Sequence, residues 1–121
     1  MYEYKAKVTG VHDGDTFNAT IDLGFTVGVD QTFRMQGINA PELKGLTMMA
    51  GTASRDRLRE LIMDKQILVR SFKPDTSMKQ EKYGRYLAKV FVSEDGGKTF
   101  TLDVNKVMVS EGLAVVYMAN V

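Results

Sequence analysis

Within the first 35 residues apolar side chains fall at alternate positions in three separate runs, and this limits the fold more than any other feature. Tyr4, Ala6 and Val8 make one set, Phe17, Ala19, Ile21 and Leu23 a second, and Thr32 to Met35 a third. A period of two sends neighbouring side chains to opposite faces of a strand. Three antiparallel strands are therefore expected, the first two joined near Asp13-Gly14, a strong hairpin pair.

The period then changes. After "NAPE" and a glycine-containing loop, Ala50, Ala53, Leu58, Leu61 and Ile62 fall near helical spacing, with Arg55, Arg57, Arg59 and Glu60 largely on other faces. The runs "QILVRSF" and "YLAKVFV" are β-branched and aromatic, and read as strands on either side of a polar segment from Lys73 to Lys82. "EDGGK" forms another hairpin tip, Asp103 caps a short helix through "VNKVMVSE" that Gly112 stops, and "LAVVYM" closes the chain as an extended piece. Periodicity gives an α+β chain, mainly β. The element order suggests a five-stranded Greek-key barrel of the oligonucleotide/oligosaccharide-binding type (OB-fold), with two or so packed helices.

At 121 residues the chain is read as one domain, 1–121, large enough to bury a core without disulfides. It has no Cys, and His12 is its one His, so thiol nucleophiles and Cys-based zinc sites are excluded. No apolar run approaches a membrane span. "MYEYKAKVTG" lacks the basic-then-apolar order of a signal peptide, and a cytoplasmic protein is expected, a processed secreted form being the alternative. Net charge is only +1, but residues 44–89 carry 11 basic and 5 acidic side chains while residues 1–43 carry 3 and 6. Such a division suits a site for both a cation and a polyanion, and equally a solvated helix face.

Several local motifs fail on their spacing. "GGKT" has Val92 where a phosphate-binding loop needs Gly, and "DGD" is followed by Phe17 and Gly24 where a calcium-binding EF-hand loop needs ligands. What survives is a dispersed polar set: Asp13 and Asp15 after the first strand; Arg34, Asn39 and Glu42 around the end of the third; Lys82, Tyr83 and Arg85 before the fifth. Carboxylate and neutral oxygens suit a hard cation, a carboxylate can deprotonate water, and guanidinium forks match phosphate oxygens. Asn39-x-x-Glu42 also has the spacing of a helix capping box, with Pro41 suited to a first turn. Both readings stand at this point.

"DGDT", "FRMQGINAPE", "KYGRYLAKV" and "VNKVMVSEGLA", in this order, resemble the thermonuclease (staphylococcal nuclease-like) family from about Val8 to Tyr117. The resemblance implies a calcium-dependent phosphodiesterase acting on DNA and RNA with little sequence preference and leaving 3′-phosphates. It makes Asp15 a metal ligand, with Asn39 and the Ala40 carbonyl completing the set. Arg34 and Arg85 would stabilise charge on the phosphate and Glu42 would be the general base. Lys82 and Tyr83 would touch flanking phosphate, and Tyr117 would pack near a base. No membrane or protein partner is implied, and a monomer is expected.

The family's second metal-binding carboxylate is replaced here by Asn39. A unit charge pair at ~4 Å is worth about 4 kcal/mol at an effective dielectric near ~20. A net loss of about 3 kcal/mol weakens binding roughly a hundredfold. The alternative function is accordingly a catalytically weakened or silent nucleic-acid-binding OB-fold module.

Overall fold

The computed structural model describes residues 2–71 and 86–117. The expected first three strands are β1 (Tyr2–Asp13), β2 (Thr16–Asp22) and β3 (Gly28–Met35). The two-residue strand β4 (Ile38–Asn39) and a 3-10 turn at Gly45–Thr47 precede helix α1 (Met48–Ile62). Next come β5 (Gln66–Ser71), β6 (Tyr86–Val92), the short β7 (Leu102–Asp103), α2 (Val104–Ser110) and β8 (Val115–Val116).

Strand order β3-β2-β1-β5-β6 is closed by a parallel pairing of β3 with β6, in which Arg34 lies opposite Leu87. The result is the closed five-stranded barrel of the OB-fold. Its twelve-residue first strand serves two neighbours, pairing with β5 from Tyr2 to Lys7 and with β2 from Ala6 to Asp13. Register shifts between Val8 and Gly10 and between Val11 and Asp13 interrupt the second pairing, the local irregularity that bends a strand around a barrel.

Alternate residues fill the interior: Val8, Phe17, Phe33, Met35, Ile67, Val69 and Val90 are all buried, with the Phe17 and Phe33 rings 5.4 Å apart. Leu58, Leu61 and Ile62 of α1, with Val104 and Met108 of α2, extend the same core. Asp103 caps α2 as expected, its carboxylate accepting from the Lys106 N–H at 3.1 Å. Gly112, at φ +74°, ends that segment in the left-handed conformation that favours glycine.

Two local readings need correction. The buried face of α1 begins with Gly51 and Ser54, not Ala50 and Ala53, which are exposed. Here the helix lies so close to neighbouring backbone that only the smallest side chains fit. Asn39-x-x-Glu42 is also not a capping box: Asn39 is in β4, paired with Val115, and α1 starts only at Met48 with Thr47 in the capping position. An extended Lys44 and a positive-φ Gly45 turn the chain before any helix forms. Among the described residues no helix is long and apolar enough to cross a membrane.

Candidate active site

The β1–β2 hairpin turns through Gly14 and Asp15, and the tightness of that turn carries Asp15 inward to 6% exposure. Strand alternation sends Arg34 to the face opposite Phe33 and Met35, as expected, yet it too is buried, at 8%. The two meet: Arg34 Nη1 lies 3.2 Å from Asp15 Oδ2. The same nitrogen donates to the carbonyl of Ile38 at 3.0 Å, and Nη2 donates to Asn39 Oδ1 at 3.1 Å. Since a guanidinium only donates, the Asn39 amide must turn its oxygen inward.

Asp15 ties the turn to the next loop. Its Oδ2 accepts from the Ala40 N–H at 2.8 Å, and its Oδ1 from the Thr16 hydroxyl at 3.0 Å. Desolvation, and then the neighbouring Asp13 carboxyl, push the Asp15 carboxyl up to about 6, against the Ala40 N–H and Arg34, which pull it down. Arg34 and the Ala40 N–H thus offset only part of the cost of burying this carboxylate beside Asp13. A buried ion pair of this kind contributes little stability compared with apolar packing, and its presence points to use.

Of the residues singled out in the sequence, Asp15, Arg34, Asn39 and Ala40 come together. Glu42 stands apart on the surface, its carboxylate 3.6 Å from Lys44 Nζ, with both side chains largely exposed. The Tyr117 ring lies 5.6 Å from the Arg34 guanidinium carbon, and its N–H donates to Gly37 O at 2.8 Å. A cation–π contact thus holds the arginine from the β8 side. Lys82, Tyr83 and Arg85 lie outside the described residues.

Sequence reasoning passed over Asn105. This buried α2 side chain donates to Gln36 O at 2.8 Å and Ala88 O at 3.2 Å, and accepts from Val90 N–H at 3.0 Å. It stitches α2 to β6 and to the turn leading into Ile38 and Asn39. An amide at an inward position of a short amphipathic helix was the available signal.

A hard cation takes oxygen donors, and the cluster offers a carboxylate, an amide oxygen and backbone carbonyls. The Asp15 carboxylate, buried but already paired with Arg34 and the Ala40 N–H, is the charged donor such an ion would need. Against it, Asn39 Oδ1 is already engaged by Arg34, and among the described residues no three His, Cys, Asp or Glu side chains converge as a metal site.

Barrel and cluster together define an OB-fold domain with a guanidinium–carboxylate site between its β1–β2 turn and the end of its third strand. Residues 32–121 match the family described as Staphylococcal nuclease homologue, and the chain belongs to that family. It is also 30% identical over 117 residues to a Micrococcal nuclease of Shigella flexneri, an alignment that takes in 95% of this chain and 59% of that relative.

Proposed function

We propose that the chain is a calcium-dependent nuclease that hydrolyses phosphodiesters of DNA and RNA and leaves 3′-phosphates. The observation that carries this reading is the Asp15–Arg34 pair, cross-linked through Ala40 and Asn39 to the loop that bears Glu42. Family membership supports it.

In this reading Glu42, on an exposed loop, accepts a proton from the attacking water. The water oxygen bonds to phosphorus, the bond from phosphorus to the 5′ oxygen breaks, and the departing oxygen takes a proton from solvent. Arg34 donates to the phosphate oxygens as negative charge builds on them, and Arg85 takes the same role by resemblance. Asp15, Asn39 and the Ala40 carbonyl would hold calcium, which supplies further positive charge to the phosphate oxygens when bound. Arg34 is preset by Asp15, Ile38 and Tyr117, so little reorganisation accompanies the reaction.

The engagement of Asn39 Oδ1 by Arg34 favours a second reading, a nucleic-acid-binding module with weakened or absent catalysis. Cleavage of a labelled single-stranded oligonucleotide across a calcium titration separates the two. Cleavage is expected to disappear with chelator, and Asn39→Asp is expected to need less calcium, by roughly tenfold to a hundredfold. Binding without cleavage by either protein at any calcium level would establish the module instead.

A further inference from the structure

Helix α1 breaks two rules of helix construction at one end. Thr47 occupies the capping position, yet its side chain caps nothing in the helix. Its hydroxyl turns back instead, 2.7 Å from the Glu42 carbonyl oxygen and 3.0 Å from that of Lys44. Threonine at this position ordinarily accepts from an orphan N–H of the first turn. That stabilisation is given up.

The second exception is Gly51, the fourth residue of the helix. Glycine weakens a helix relative to alanine, and its backbone here is ordinary helix that alanine would also adopt. The reason for it is space. A Cβ at this position would lie 2.5 Å from the Glu42 carbonyl oxygen, 2.9 Å from its carbon and 3.0 Å from the Pro41 carbonyl oxygen. Both exceptions therefore converge on one peptide, the one that carries Glu42.

That peptide needs holding from behind, because the carboxylate is not held in front. Among the described residues its ion-pair partner is Lys44, and a pair so exposed contributes little. The direction of the side chain must come from its backbone. One turn along the same face of α1, Ser54 packs against Gly14, where a Cβ would lie 2.8 Å from the Ser54 Cβ. The Gly51–Ser54 face thus sets the Glu42 loop at a fixed distance from the turn that holds Asp15.

We propose that Thr47 and Gly51 are positioning residues that clamp the Glu42 peptide and aim its carboxylate. The inference rests on the nuclease reading given above, and deepens it. Misplacing a reacting group by about 1 Å costs on the order of a hundredfold in rate. Gly51→Ala and Thr47→Val should each lower kcat by roughly tenfold to a hundredfold with KM little changed, and Thr47→Ser, which keeps the hydroxyl, should restore kcat. Helix propensity alone predicts a more stable and fully active Gly51→Ala.

The test is a double-mutant cycle with Glu42→Gln, joined to the carbonyl and carboxyl carbon-13 shifts of Glu42 in Gly51→Ala. The expected result is a moved Glu42 signal, and a Gly51→Ala penalty that vanishes once Glu42 is Gln. Unmoved Glu42 signals, an unchanged kcat, or a penalty that persists in full in the Glu42→Gln background would each overturn the clamp while leaving the nuclease reading intact. A wild-type chain that cleaves nothing fails before any variant is compared, and takes both readings down.

Discussion

The turn from Asp13 to Thr16 and the loop from Ser93 to Thr99, "DGDT" and "SEDGGKT", are both built on Asp, Gly and Thr, and their carboxylates end in opposite states. Asp95 is fully exposed and saturated by its own loop, accepting from the Ser93 hydroxyl at 2.7 Å, from the Thr99 N–H at 2.9 Å and from the Lys98 N–H at 3.1 Å. The Thr99 hydroxyl leads these donors in lowering its pKa to about 2. Asp15 is buried beside a second acid and pushed up to about 6. A carboxylate that shapes a loop is satisfied by that loop. One buried beside a second acid has its ionised form disfavoured.

The largest effect that would break this comparison is on turnover. In the nuclease reading proposed above, Asp15→Asn should reduce cleavage at limiting calcium by roughly a hundredfold or more, because it removes the charge that Arg34 faces and that the proposed cation would face. Asp95→Asn should leave turnover where it is. Rates measured across a calcium titration check both, and equal losses would mean that the two turns do not divide into site and scaffold as their geometry indicates.

The glycines of the two turns sharpen the same contrast. A Cβ on Gly14 would lie 1.8 Å from Ser54 Oγ and 2.8 Å from the Ala40 Cβ, whereas one on Gly96 would meet nothing within 4 Å. Gly96 needs its φ of +77° and Gly14 needs room. Gly14→Ala is expected to cost about 1–3 kcal/mol through overpacking against α1. Gly96→Ala should cost about 1 kcal/mol, through left-handed strain alone. Asparagine tells them apart in chemical denaturation: it tolerates the left-handed region, so Gly96→Asn should be nearly silent, while Gly14→Asn should be at least as damaging as Gly14→Ala.

These glycines also mark where the sequence stops being legible. Strand alternation exposed the barrel because Ala6 and Val8, Phe17 and Ala19, and Phe33 and Met35 follow the inside–outside rule, and the Asp103 cap is a local bond that needs no tertiary knowledge. The inner face of α1 is not legible in hydrophobic periodicity, which weighs Ala50 and Ala53 above Gly51 and Ser54, because the latter two are set by how close neighbouring groups lie. The spacing of Asn39 and Glu42 suggested a cap that the turn at Lys44 and Gly45 forestalls. Asp15, Arg34, Asn39 and Ala40 were named from motifs, but that Arg34 would be buried and would engage Asn39 depends on β3 meeting β6 and on the β1–β2 turn folding inward.

The last contrast is the dependence of stability on pH, and here the two carboxylates must differ in sign. Asp15 has a folded pKa of about 6 against an ordinary 3.8, so the folded protein binds the proton more tightly than the unfolded chain. Its contribution is therefore fully present below 3.8 and is lost as pH rises through about 6. Each unit of displacement is worth at most ~1.4 kcal/mol. Asp95, lowered to about 2, stabilises above 3.8 and loses that contribution as pH falls through about 2. Melting of the wild type in chelator, compared at each pH with Asp15→Asn and with Asp95→Asn, isolates the two slopes. In the wild-type-minus-Asp15→Asn difference, stability should fall between pH about 4 and 7. In the wild-type-minus-Asp95→Asn difference it should be flat there, and should fall only as the medium becomes more acid than pH 3.8. A flat Asp15 difference would mean that Arg34 and the Ala40 N–H already neutralise that carboxylate, leaving no spare charge for a cation and removing the electrostatic ground on which the two turns were distinguished.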